Sequence, residues 1–337
     1  MTATTKRIES PAAGLTERVR SSLSVIGSQE FILAALIVVL SLLIYSYNPR
    51  FGAERNLLNI LSNSAYIAVA AIGMTLVIIT GNIDISIAAL IGVLGTISGQ
   101  LAVHGYPVWI AWLAPVVVGI LIEGVIGYFV AFLRIPAIVV TLGMASILRG
   151  GLILATGGAW IYDLPQDFFL SQKQPLGIPM PIYFMVALVI LAALWMRYSP
   201  AGRAIYAIGG NKEAARLSGL SEQRVLMMVF LINGLMVGVA SVLYTTQFTT
   251  IQSSVPSGLE LTVITAAVVG GVSILGGSGT VIGALMGAIL IRTINSGMIF
   301  VNVSAYWLQA VQGIMILLTV LVDIVRRRRQ MAAIGRQ

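Results

Sequence analysis

Long apolar runs alternate with short polar gaps from residue 31 to residue 325, and most of the runs are far too long for strands. They fall at 31–47, 57–79, 85–103, 108–133, 137–155, 182–198, 225–245, 259–275, 280–299 and 305–325. A helix needs about 20 apolar residues to cross a bilayer. The pattern therefore predicts an all-α fold, a polytopic transmembrane helix bundle of about ten spans. The third, eighth and ninth runs are short or interrupted by glycine, so eight spans with two re-entrant segments is the other count the pattern allows.

Composition agrees with a lipid environment. Of 337 residues, 58% are hydrophobic and 9% are charged, with a mean hydropathy of +0.97; a soluble protein carries roughly 25% charged residues. So few charges cannot cover a surface facing water, and membrane lipid is the surrounding the chain implies.

The net charge of +8 would suggest nucleic acid in a soluble protein. Here Lys and Arg cluster in the polar gaps, at Lys6–Arg20, Arg197–Arg224 and Arg326–Arg329, with no interleaved aromatic residues. That is how the positive-inside rule places them, and nucleic-acid binding is not indicated.

With the amino terminus inside, ten spans put 1–30, Arg134, 197–224 and 326–337 in the cytoplasm. The loops 48–56, 104–107, 156–181 and 246–258 and the turn near 300 then lie outside. Loop 156–181 is slightly acidic, with Asp163 and Asp167 against Lys173. The chain reads as a cytoplasmic tail over 1–30, a transmembrane domain over 31–325 containing the cytoplasmic segment 199–224, and a basic tail over 326–337. No cleavable signal peptide is visible, so Phe31–Tyr47 is expected to remain as an anchor.

Segment 199–224 divides the spans six and four. The groups 57–155 and 225–325 then hold four spans each and enter the membrane from opposite sides, the arrangement of an inverted-topology repeat. Gly234 with Gly238, and Gly283 with Gly287, have the spacing that lets helix backbones approach closely in lipid.

Ionisable groups within the spans are few, and each is expensive there. Asp84 lies in Thr80-Gly81-Asn82-Ile83-Asp84-Ile85-Ser86, between two apolar runs. Gly81 permits a turn, and Asp84 and Ser86 suit the cap of the following helix. A broken-helix element lining a solute path and a capped surface turn both fit. Glu260 follows Pro256-Ser257-Gly258-Leu259 and suits either a helix cap, the better fit, or the outer mouth of a pathway. Arg149 fits an outer-interface side chain or a buried ion pair. Asn82, Asp84, Ser86, Glu260 and Arg149 are the candidate pathway residues. Glu123 and Arg292 are each inside an apolar run and have the charges to pair, and Asp323 beside Arg326 reads as interfacial.

Cysteine is absent and the single histidine, His104, sits in a short His-Gly-Tyr-Pro connection. Disulfides, thiol chemistry and Cys-based metal sites are excluded, and no catalytic Ser/His, paired-Asp or metal-ligand set falls within the spans. The glycine-rich run 270–279 lacks the Gly-Lys-Ser/Thr of a phosphate-binding loop, so the chain shows no ATP site of its own. A close turn or a gate is the better reading of that run.

The most informative stretch is polar. In Gly209-Gly210-Asn211-Lys212-Glu213-Ala214-Ala215-Arg216-Leu217-Ser218-Gly219, Asn211 is a good N-cap and Gly219 a natural terminator. The helix predicted over 212–218 is too short to stand alone. Its small apolar stripe, Ala214 and Leu217, beside Lys212 and Arg216, suits a docking element for a partner or an ordinary loop helix.

From this helix outward the sequence resembles permease subunits of bacterial ATP-binding-cassette importers for ribose, xylose, rhamnose and autoinducer-2. The resemblance covers about 57–325. It rests on Gly81-Asn82-Ile83-Asp84-Ile85-Ser86, on Ile135-Pro136-Ala137-Ile138-Val139-Val140-Thr141-Leu142-Gly143, on Gly202 to Gly219, and on Ser257-Gly258-Leu259-Glu260 running into 270–279.

It implies a second copy of the chain or a related permease, a periplasmic sugar-binding protein and a cytoplasmic ATPase holding ATP and Mg. No cofactor is implied for this chain, whose place is a bacterial inner membrane with both termini cytoplasmic. Asn211, Lys212, Glu213, Ala214, Ala215, Arg216 and Gly219 are the implied ATPase-docking residues. Asn82 departs from the usual Gly-Gly-Ile-Asp pattern and is nearer the autoinducer-2 and rhamnose types. A stand-alone secondary transporter of a small neutral solute is the alternative, though such proteins carry more intramembrane carboxylates or histidines than this chain offers.

Overall fold

The computed structural model describes residues 29–304 and 306–334, without the side chains of Val322 and residues 326–334. The predicted tail over 1–30, except Gln29 and Glu30, and the end of the basic tail lie outside the described residues.

Each apolar run becomes helix, because a backbone in lipid must satisfy its own hydrogen bonds. Ten of the twelve helices come from those runs: α1 (Gln29–Tyr47), α2 (Glu54–Ile79), α3 (Ile87–Val103), α4 (Val108–Ala131), α5 (Ala137–Thr156), α6 (Met180–Tyr198), α9 (Glu222–Thr245), α10 (Leu259–Val269), α11 (Val281–Phe300) and α12 (Trp307–Ile334). The last runs on to Ile334, so the stretch expected as a tail from 326 begins as a continuation of the final span.

Segment 199–224 also carries α7 (Pro200–Gly210) and α8 (Lys212–Leu217). The first was missed in the sequence. Its signal was Ser199-Pro200: the Ser199 hydroxyl accepts the Gly202 N–H at 2.8 Å, and proline occupies the first helical position.

Among the described residues, eight helices are long and apolar enough to cross a membrane. The other two apolar helices are α3, of 17 residues, and α10, of 11, some 25 Å and 17 Å long. The run 259–275 ends early because Gly270-Gly271 stops the helix, Gly271 taking φ +99°. The ninth run, α11, has full length.

A non-helical stretch precedes each short helix, 80–86 before α3 and 246–258 before α10. The set α2–α5 and the set α9–α12 thus repeat one pattern, with a long helix, a break, a short helix and two long helices.

Burial sorts the bundle. In the apolar window of α2, 89% of the residues are buried and in that of α9 67%, while α1, α5, α6 and α12 bury fewer than a quarter of theirs. α9 packs against α4 and α2, and α2 also against α11, α6 and α10. Glycine permits the closest of these contacts: Gly234 lies on the Gly119 backbone, Gly238 on Pro115 and Val116, Gly283 on Gly270 and Gly287 on Ala266. The small-residue spacings therefore pack the bundle, as read from the sequence.

The ends differ. At one, strand β1 (Trp160–Ile161) pairs antiparallel with β2 (Ile251–Gln252), tying the loops that precede α6 and α10. At the other, the basic end, Gly277 N–H donates to Ile79 O (2.8 Å), Tyr206 Oη to Gly279 O (2.8 Å), and Ser273 Oγ to Asp323 Oδ2 (2.6 Å). Thr280 Oγ1 donates to Glu30 Oε1 there as well (2.8 Å). Both described chain ends therefore lie at the end that holds α7 and α8. Asp323, read as merely interfacial, anchors the last helix to the glycine-rich turn.

Candidate functional site

The break after α2 is built by Gly81, at φ +78°, and closed by Asp84. Asp84 is fully buried; its Oδ1 accepts the Ser86 N–H (2.8 Å) and the Ser86 hydroxyl (2.6 Å). Asp84 therefore caps the approach to α3. Ser86, expected to share that task, makes no cap bond and instead donates to Asp84. The other oxygen, Oδ2, accepts from Asn233 Nδ2 of α9 at 2.8 Å. A capped surface turn does not describe this arrangement. The break is a polar element held inside the bundle.

Glu123, on α4, is equally buried and faces Asp84 and Asn233, so the expected pair with Arg292 does not form. Arg292 lies over the Tyr66 ring, with its centroid 5.3 Å away. It donates to the Tyr66 hydroxyl and to Asn63 O. The two charges sit on different neighbours because α4 packs chiefly on α9, and α11 chiefly on α2.

Asn82, at the basic end of the break, lines a cavity of ≈ 440 Å³ with Arg134, Ile135, Lys212, Arg216 and Glu222. Arg134 adopts φ +57° there, a backbone conformation that costs energy in a non-glycine residue. The structure thus joins a pathway candidate, Asn82, to two docking candidates, Lys212 and Arg216. Lys212 Nζ is 3.0 Å from Glu222 Oε1.

α8 follows its sequence signals. Asn211 Oδ1 accepts the Ala214 N–H at 3.0 Å and Gly219 takes φ +83°. One correction concerns its faces. Ala215, included among the docking residues, is buried in the core, whereas Leu217 stands 90% exposed beside exposed Lys212, Glu213, Ala214 and Arg216. A helix six residues long turns one residue inward as its anchor and presents the rest.

At the strand end a second cavity of ≈ 480 Å³ is lined by Trp160, Tyr244, Phe248, Thr245, Gln252 and Ser257, with Gly92 and Gly95 of α3. Aromatic faces and hydroxyl or amide tips share one wall. Along α9, Leu226 borders the first cavity and Tyr244 the second, with Asn233 between them.

Glu260 lies in the first turn of α10, makes no capping bond and leaves Oε2 buried without a hydrogen-bond partner. It does not line the cavity, and the N-cap is Gly258 at φ +72°. Capping, the better fit in the sequence, is not its role. Arg149 is exposed on α5 and borders neither cavity. His104 is exposed with Nδ1 2.8 Å from Gln100 O, and no cluster of metal-ligating side chains occurs among the described residues.

The profile of one protein family, the permease component of branched-chain amino acid transport systems, matches residues 56–320. The chain belongs to this permease family. The permease is 35% identical to the ribose import permease protein RbsC of Escherichia coli (strain K12) over 297 residues, covering 86% of this chain and 92% of the relative. It is also 35% identical to the autoinducer 2 import system permease protein LsrC of Salmonella choleraesuis (strain SC-B67) over 286 residues, covering 84% and 82%. No solved structure shows a significant match. These relatives are transport proteins, so the permease is a multi-pass membrane transport subunit and not an enzyme. The residues that sequence reasoning missed are Asn233, Tyr66 and the aromatic wall Trp160, Tyr244 and Phe248.

Proposed function

We propose that this permease is the membrane passage of an ATP-binding-cassette importer for a ribose-like sugar or a related small polyol. A separate cytoplasmic ATPase, which holds the ATP and Mg, drives it. The observation that carries this reading is the cavity shared by Asn82, Lys212 and Arg216: a short exposed helix adjoins the one break that penetrates the bundle from the basic end. Movement of α8 reshapes the cavity that Asn82 borders. It also reaches Ile79 through Gly209 and Gly277.

In this reading the basic end faces the cytoplasm, in keeping with the positive-inside rule, and both termini lie there in a bacterial inner membrane. The ATPase seats on Lys212, Glu213, Ala214, Arg216 and exposed Leu217. A periplasmic binding protein delivers solute to the strand end. There the cavity of Trp160, Tyr244 and Phe248 offers ring faces to sugar C–H groups, and Gln252 and Thr245 offer hydrogen bonds.

A second copy or a related permease packs along α5. Gly143, Ser146 and Gly150 leave that face of α5 flat, and Arg149, exposed among apolar side chains, gains a partner there.

Reconstitution in liposomes tests the proposal. Uptake is expected only with the ATPase, ATP and the binding protein present, and the double substitution Glu213→Ala/Arg216→Ala is expected to uncouple ATP hydrolysis from uptake. Uptake by the permease alone, or unaltered coupling in the double variant, refutes it.

A further inference from the structure

Two carboxyl groups meet in the interior of the bundle without a base to answer them. Glu123 and Asp84 are each 0% exposed, and Glu123 faces Asp84. Asp84 is well supplied with donors, from Ser86 and Asn233. Glu123 is not: Asp84 and Asn233 face it, but neither of its oxygens makes a hydrogen bond of good geometry, and Asn233 Oδ1 is likewise unpaired. The surroundings leave no slack. Gly234 lies against the Glu123 Cβ and Gly73 of α2 against the Asn233 amide. Neither carboxyl group lines either of the two cavities described above.

The charge is unbalanced too. Among the described residues Asp84 is the one charged group acting on Glu123; α9 contributes the neutral Asn233, α2 a glycine, and the start of α3 the hydroxyl of Ser86. Arg292 is turned to Tyr66. The one ion pair among the described residues is Lys212–Glu222, at the surface. Two adjacent buried carboxylates repel and each loses its hydration, so such a pair persists only with added positive charge.

We propose that a single monovalent cation occupies this cluster, shared by Asp84 and Glu123, either as a proton bridging the carboxyl groups or as an alkali ion held between them. It supplies the donor or Lewis acid that the Glu123 oxygens lack. It also fastens the break to α4, while Asn233 fastens it to α9. Because Asn82, two residues from Asp84, borders the cavity of α8, occupancy of the site and the position of α8 are mechanically linked. The inference does not depend on the transport reading, since it follows from burial and charge alone.

Thermal melting of the full purified chain in detergent tests it. Buffers run from neutral to mildly alkaline, with sodium, potassium or choline chloride at equal ionic strength. Withdrawal of the cation is expected to lower the wild-type Tm by at least about 3 °C. A fall with rising pH in choline identifies the proton, and a fall on replacing sodium or potassium by choline identifies the alkali ion. Glu123→Gln, which keeps the shape and removes one charge, is expected to abolish that dependence. A wild-type Tm insensitive to both, or an unchanged dependence in Glu123→Gln, overturns the proposal. If that variant does not fold, infrared spectroscopy of the wild type decides. A carbonyl band from a protonated, slowly exchanging carboxyl group, or a carboxylate band displaced by sodium or potassium, supports the site; the absence of both overturns it.

Discussion

Gly209 and Gly210 are adjacent in sequence and opposite in consequence. A Cβ at Gly209 would fall on the Ile79 carbonyl oxygen, with Gly277 N 2.7 Å and the Ile79 carbonyl carbon 2.9 Å away. These are backbone atoms at a three-way joint between α7, the end of α2 and the glycine-rich turn, so no side chain can swing aside. Overpacking of this kind costs about 1–3 kcal/mol. The Gly277–Ile79 hydrogen bond, disturbed with it, is worth about 1 kcal/mol net. Against this, alanine gains about 0.5–1 kcal/mol over glycine in a helix. Gly209→Ala is therefore expected to lose ~1–3.5 kcal/mol, which at about 2 °C per kcal/mol for a chain of this size lowers Tm by ~2–7 °C.

A Cβ at Gly210 meets nothing within 4 Å, so Gly210→Ala should melt within about 1 °C of wild type or slightly above it. Differential scanning fluorimetry of the two variants in the same detergent makes the comparison. Equal melting temperatures for both would refute the claim that α7 is seated on the Ile79 carbonyl.

Other consequences are more local. Asn211→Ala removes a cap worth about 1 kcal/mol, and hydrogen exchange of amides 212–217 should quicken about fivefold while global Tm barely moves. Tyr66→Phe takes from Arg292 the hydroxyl it donates to, at a cost of about 1–3 kcal/mol, read as a lower midpoint in thermal melting. Burial pushes the Tyr206 phenol above its ordinary value. Its neutral form thus contributes stability that is present below the unfolded pKa of ~10 and lost as pH rises through the higher folded value. Melting curves across alkaline pH should show that loss in wild type and less of it in Tyr206→Phe. Lys212→Ala breaks a largely solvated ion pair worth about 0–1 kcal/mol. Its Tm should hold while ATP-coupled uptake in proteoliposomes falls.

The helices were legible because lipid imposes one demand on every residue of a span, and the apolar runs record it directly. The breaks were legible where glycine and proline mark them, at Gly81 and at Pro256-Ser257-Gly258. Asn211 and Gly219 announced α8 because capping chemistry is local.

What escaped was set by distance along the chain. Asp84 and Asn233 lie 149 positions apart, and nothing near either residue names the other. The available signal was polarity out of place: Glu123 and Asn233 each interrupt an apolar helix, and each is flanked by glycines that let neighbouring helices close around it. Glu123 and Arg292 had complementary charge, but which helices touch decides such pairs, and α4 and α11 seat against different neighbours. On α8 the stripe read from the residues, Ala214 and Leu217 beside Lys212 and Arg216, is exposed, while Ala215, which came into the docking set through the resemblance, faces the core.

The burial of α2 carries a consequence for how the chain is made. In its apolar window 89% of the residues are buried, and its partners α6, α9, α10 and α11 are all synthesised after it. Asn63, Ser64 and Thr75 are tolerable on a span wrapped this way, but during biogenesis the same helix emerges before anything exists to wrap it. It must wait in lipid or in the insertion machinery, with its polar side chains exposed, until α9 arrives. Nascent chains truncated before residue 222 should therefore be the ones degraded most readily, and a protease acting on co-translational intermediates would find its target in the most protected helix of the finished protein.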